Sequence, residues 1–123
     1  MNKADVALSS AKALLARGDV DGAVNRAYYA MFDAARAALI VSGDPTRQDP
    51  GRTHSGLISE FGLCLVKPGF VEKELGRMLN RAHEIRQVAD YTDESVALTD
   101  AERMLLDAEI FIGALRSLFF SVD

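Results

Sequence analysis

Within RAHEIRQVADYTD, Arg81 to Asp93, residues able to grip an anion or move a proton recur at helical spacing: His83, Arg86, Asp90 and, next to it, Tyr91. Steps of three and four residues put His83, Arg86 and Asp90 on one shoulder of a helix. Beside them runs the apolar stripe Val71, Leu75, Met78, Leu79, Ala82, Ile85 and Ala89. An arginine on such a boundary offers a planar fork of donors that matches phosphate oxygens and stays charged at physiological pH. A histidine ordinarily titrates near neutrality, where general acid and base groups work. The plainer account of the same shoulder is an i,i+4 ion pair between Arg86 and Asp90, worth roughly a few tenths of a kcal/mol if exposed, with His83 a hydrogen-bonded structural residue.

Other chemistry-bearing residues are scattered. Arg26 and Asp33 fall on the solvent side of an earlier helix and Tyr28 on its core side, so Tyr28 reads as packing. Tyr29 and Phe32 lie on the edge of that wheel, facing either a third helix or a second copy of the chain. His54 and Ser55 open a short helix, and His54 is kept as a ligand-binding candidate; Ser55 has no His/Asp context for a nucleophile. No Gly-rich phosphate loop, HExxH, paired Cys/His ligand set or Gly-x-Ser-x-Gly elbow occurs, so no metal and no cofactor is expected. Cys64, the single cysteine, sits in the apolar run LCLV and reads as core packing, which excludes an internal disulfide framework.

The elements that must position these residues are all helical. Ala4, Ala7, Leu8, Ala11, Leu14 and Leu15 recur with helical period up to Arg17-Gly18. Asp19 can cap a second helix whose stripe runs Val20, Val24, Ala27, Tyr28, Met31, Ala35, Ala38 and Leu39 and stops at Ser42-Gly43. With Phe32 and Ala34 the stripe widens to about 160°, the pattern of a central helix with neighbours on two sides. GDPTRQDPGRT, Gly43 to Thr53, has no apolar residue and reads as an exposed, disorder-prone loop. A shorter helix spans about His54 to Val66, KPGF turns the chain, and a fourth helix runs from Val71 to about Asp90. Thr99 and Glu102 form a capping box for a last helix with the stripe Met104, Leu105, Ala108, Ile112, Leu115 and Phe119. The expected fold is an all-α antiparallel bundle of four long helices and one short one.

Length and composition agree with a single domain over residues 1–123: 49% of residues are hydrophobic and 26% charged. No apolar run approaches the roughly 18 residues that span a bilayer, and the start of the chain mixes charge into its apolar positions, so a cytoplasmic protein with no membrane association is expected. A net charge of −4 argues against broad, nonspecific nucleic-acid binding but leaves room for a local basic cleft.

Three segments together carry a family likeness: NRAYYAMFDAARAALI (Asn25 to Ile40), THSGLISEFG (Thr53 to Gly62) and ELGRMLNRAHEIRQVADY (Glu74 to Tyr91). In this order they resemble the small bacterial and archaeal HEPN proteins with an R-A-Y-Y-A-x-F helix and an R-x-x-A-D-Y helix end. The resemblance covers nearly the whole chain. It implies a bundle of four to five helices, frequent homodimers, and roles in RNA cleavage, nucleotide binding or toxin–antitoxin pairing with a small MNT-type nucleotidyltransferase.

HEPN ribonucleases carry an arginine followed after four to six residues by a histidine at this helix end. Arg86 stands at the arginine's place, but positions 91 to 93 are Tyr, Thr and Asp. Arg47 and His54 match the spacing only across the Pro/Gly loop, as chance allows. A tyrosine ordinarily titrates near 10 and does not replace a neutral-pH acid and base. The resemblance also implies a tyrosine that accepts adenylate from the partner enzyme, for which Tyr91 is the nearest match. The reading is therefore a HEPN-type module that binds a nucleotide or RNA near Arg86, with Asp90, Tyr91, His83, Arg26 and His54 as ligand-contact candidates. The alternatives are a metal-independent ribonuclease toxin using Arg86 with His83, and a scaffold in which these residues form a structural network.

Overall fold

The computed structural model describes residues 1–43, 53–91 and 96–120. It is an all-α bundle: α1 (Asn2–Ala16), α2 (Val20–Ser42), the short α3 (His54–Phe61) running into a π-helical turn (Gly62–Val66), α4 (Lys73–Tyr91) and α5 (Leu98–Phe119). Most of the Gly43–Thr53 segment lies outside the described residues.

The sequence signals explain most of the ends. Arg17 closes α1, and Gly18 takes φ +86°, so that Asp19 N–H reaches the Leu14 carbonyl and Gly18 N–H that of Leu15. That paired closure needs a residue that tolerates a left-handed backbone. Asp19 then caps α2, its carboxylate accepting from Gly22 N–H at 2.9 Å. Thr53 caps α3 in the same way, its hydroxyl accepting from Gly56 N–H at 2.9 Å.

Two boundaries differ from expectation. The Thr99–Glu102 capping box does not form, because α5 starts at Leu98 with Ala97 at the N-cap and no side-chain cap bond, which leaves Thr99 inside the first turn. Entry into α5 is set instead by buried Val96, whose N–H donates to the Asp21 carboxylate of α2 at 3.1 Å. The fourth helix begins at Lys73, with Val71 buried in the preceding turn, where its N–H donates to the Leu65 carbonyl.

α2 is the central element and packs against α1, α3, α4 and α5. Its buried face includes Ala23, Val24, Ala27, Tyr28, Ala30, Met31, Phe32, Ala34, Ala35, Ala38 and Leu39, as the wide stripe predicted. Small residues let α1 approach closely, and Ala4, Ala7 and Ala11 are almost fully buried against it. Large side chains fill the rest of the core, among them Phe61, Phe111, Leu57, Leu65, Leu79 and Leu115. Cys64 is half-buried and packs against this core.

Ion pairs reinforce the helix contacts from outside. Lys12–Glu109 (2.6 Å) and Arg116–Asp5 join α1 to α5, and Arg81–Asp107 (3.4 Å) joins α4 to α5. At least one partner in each pair is well exposed, so each adds about 1 kcal/mol or less. No helix among the described residues is long and apolar enough to cross a membrane.

Candidate functional site

Arg86, five residues before the end of α4 in this bundle, is the one buried charged residue among those described, with 8% of its surface exposed. Its Nε lies 2.8 Å from Oδ2 of Asp90, one helical turn on, but the N–H is not aligned for a hydrogen bond, so the contact is chiefly coulombic. Nη2 donates to the Tyr29 hydroxyl of α2 at 3.3 Å. Asn25, one turn before Tyr29 on α2, donates from Nδ2 to the Asp90 carboxylate at 3.2 Å. The ion pair expected on one helix is thus a bridge between α4 and α2, and burial removes it from the class of exposed surface pairs.

Aromatic rings surround the guanidinium. Its carbon lies 5.3 Å from the ring centroid of Tyr28, 5.6 Å from that of Tyr29 and 5.6 Å from that of Tyr91. Cations are drawn to ring faces at such distances, more strongly when desolvated. Tyr91 is 73% exposed and forms the outer wall of the cluster.

Two histidines complete it. α3 brings His54 under α2, where its Nδ1 lies 2.8 Å from the Tyr28 hydroxyl and its ring 4.8 Å from that of Phe32. α4 brings His83, whose ring lies 6.3 Å from His54 at an interplanar angle of 15°. Tyr28 is fully buried, and burial pushes its hydroxyl far above the ordinary phenol range, with Arg86 opposing. The phenol therefore keeps its proton and pairs with Nδ1 of neutral His54, whose tautomer decides which of the two groups donates. Burial first, then the Arg86 charge, lowers the pKa of both imidazoles, and His83 lowers that of His54 further. Both rings are held neutral at physiological pH. Nδ1 of His83 is buried without a hydrogen-bond partner among the described residues.

The structure thus brings His83, Arg86, Asp90, Tyr91 and His54 together. Arg26 stands beside them, its guanidinium carbon 5.7 Å from the Tyr29 ring centroid. Tyr28 is core packing, as its stripe position predicted, yet its hydroxyl also serves the cluster. Tyr29 and Phe32 meet the third helix: both rings contact His54, and Phe32 is buried. Asn25 was not foreseen, although NRAYY sets it one turn from Tyr29. Arg47 lies outside the described residues. Among the described residues, no group of three or more His, Cys, Asp and Glu could hold a metal ion.

The chain is thus an all-α bundle with a polar, arginine-centred cluster between its second, third and fourth helices. The HEPN domain profile matches residues 1–118, and the chain belongs to the HEPN family. Over 109 residues, covering 89% of this chain and 78% of the relative, it is 35% identical to a protein of Methanocaldococcus jannaschii named as a candidate toxin. A second candidate toxin of that organism is 29% identical over 98% of this chain and 80% of its own length. A UPF0332 protein of Pyrococcus horikoshii is 43% identical over 61% of this chain, and the match spans only 49% of that relative.

Proposed function

We propose that this HEPN protein is the binding half of a toxin–antitoxin-like pair, taking a phosphate of a nucleotide or RNA at Arg86 and meeting an MNT-type nucleotidyltransferase as its protein partner. The observation that carries the reading is the guanidinium of Arg86, held by Tyr28, Tyr29 and Tyr91 and flanked by two neutral imidazoles. Buried cations are costly unless compensated, and phosphate oxygens match the arginine fork. The exposed ring of Tyr91 offers a stacking face for a base and stands where a partner enzyme can reach it. The names of the two Methanocaldococcus relatives support the toxin–antitoxin setting. In this reading the protein works in the cytoplasm as a homodimer, and a solution mass near 13.4 kDa at micromolar concentration would reject the dimer.

The test compares wild type with Arg86→Lys for binding of ATP and of a short oligouridylate by titration calorimetry. Lysine keeps the charge and loses the fork, so about tenfold weaker binding is expected with a folded protein. Equal binding by the two proteins would remove Arg86 from the ligand site.

A second reading is favoured by the near-parallel imidazoles of His54 and His83. Two histidines beside one arginine could act as base, acid and phosphate clamp in metal-independent RNA cleavage.

A further inference from the structure

α2 carries a second row of polar residues away from its core face. Arg26, Asp33 and Arg36 follow one another at helical spacing, and the start of α1 lies alongside. Two cavities of about 520 and 310 Å³ lie here and share Asn2, Lys3 and Asp33 in their walls, which makes them one continuous groove. Its basic residues are Lys3, Arg26 and Arg36, and its one acidic residue is Asp33. All three cations act on the Asp33 carboxyl, so their charges converge in the groove. A chain of net charge −4 therefore carries a locally positive channel.

The groove ends at the arginine cluster, because Arg26 lies over the Tyr29 ring and Tyr29 accepts from Arg86. Ten residues separate Arg26 from Arg36, about 15 Å of helix. Phosphates of a stacked strand recur about every 3.4 Å along the axis, so this length faces about four of them. A mononucleotide at Arg86 leaves the far end untouched.

We propose that the groove between the start of α1 and the Arg26–Arg36 face of α2 carries the phosphodiester backbone of a single nucleic-acid strand whose end is held at Arg86. The proposal rests on the phosphate reading of Arg86 and extends it from a nucleotide to a strand. Asp33 sits in the path, and its half-buried carboxyl, pushed up by burial against the pull of Lys3, Arg26, Arg36 and the N-terminal amine, opposes the strand only in its ionised form.

The experiment measures fluorescence anisotropy of labelled oligouridylates of two and eight nucleotides, and of the matching oligothymidylates, with the full chain. Wild type should bind the octamer at least tenfold more tightly than the dimer, with the same gain for RNA and DNA. Lys3→Glu combined with Arg36→Ser should abolish the gain while leaving dimer binding in place. The slope of log affinity against log salt should fall by about 1.4, the loss of two phosphate contacts at about 0.7 each. If the double variant does not fold, Lys3→Glu alone, at an exposed position, should lower the slope by about 0.7.

No gain with length, a gain that survives these substitutions, a gain seen with RNA alone, or equal competition by a glutamate octapeptide would each overturn the proposal. The two readings separate cleanly. Dimer binding that depends on Arg86 without a length gain leaves the Arg86 site standing and removes the groove. Octamer binding that depends on Lys3 and Arg36, with the dimer unbound, keeps the groove and removes Arg86.

Discussion

The imidazole of His54 lies nearly parallel to that of His83, with 15° between their planes and 6.3 Å between ring centroids, although one opens α3 and the other lies inside α4. Charging either ring would place a second cation beside buried Arg86, and its charge opposes protonation of both.

Stability should consequently depend on pH just below neutrality. The folded pKa of each histidine is lowered from its ordinary 6.5, so the unfolded chain binds more protons between the two values. The stabilisation is fully present above 6.5 and is lost as pH falls through the folded pKa. Asp33 has the opposite sign: its raised pKa lets protonation favour the folded state, in the carboxylate range further down. Thermal unfolding between pH 5 and 7.5 should show the midpoint falling with acid, and His83→Gln should flatten that dependence. An unchanged profile in the variant would mean that His83 does not titrate against Arg86.

Tyr28→Phe isolates one hydroxyl. It keeps the ring in the core and removes the hydroxyl that pairs with His54 Nδ1, leaving a partly buried ring nitrogen unsatisfied. The expected cost is about 1–3 kcal/mol by denaturant unfolding. The ¹⁵N shifts of His54 should show a changed balance between its two neutral tautomers. A stability loss with the tautomer unchanged would show that the bond does not set the proton's position.

How far the sequence reaches is visible in these same residues. Helical period sufficed to put His83, Arg86 and Asp90 on one shoulder, because that juxtaposition lies within one helix. It did not reveal that the Tyr28 hydroxyl meets His54 or that Asn25 meets Asp90: those partners are 26 and 65 residues apart, and tertiary packing alone joins them. Burial of Arg86 was hidden for a related reason, since a shoulder position is covered or bare according to which helix lies over it. Thr99 was misread because local capping preference lost to the bond between Val96 and Asp21, which fixes where α5 begins.

Arg86 is itself a stability test. Its removal leaves the Asp90 carboxylate with Asn25 as its remaining partner in the cluster and opens a space among three rings. Arg86→Ala should cost about 1–3 kcal/mol, less than for a fully buried pair because the Asp90 side chain is 25% exposed. Arg86→Lys should cost less, since the stem and the charge remain. Comparable unfolding midpoints for wild type and Arg86→Ala would show that the buried bridge contributes little and that the arginine is held there for a ligand.

The last expectation concerns catalysis, where the two readings of the site diverge. As a binding module, the purified protein should leave structured and single-stranded RNA intact in the presence of a chelator. Arg86 lacks a histidine at the spacing of HEPN ribonucleases, and a missing acid or base typically costs 10²- to 10⁴-fold. Yet His54 and His83 are neutral, close together and next to the arginine, so either could take a proton at neutral pH. The assay therefore runs wild type beside Arg86→Ala, His54→Ala and His83→Ala. Cleavage by wild type that each substitution abolishes would replace the binding module with a ribonuclease whose second histidine comes from α3. Cleavage that persists equally in all three variants would point to a contaminating nuclease, and intact RNA throughout would keep the module as a binder.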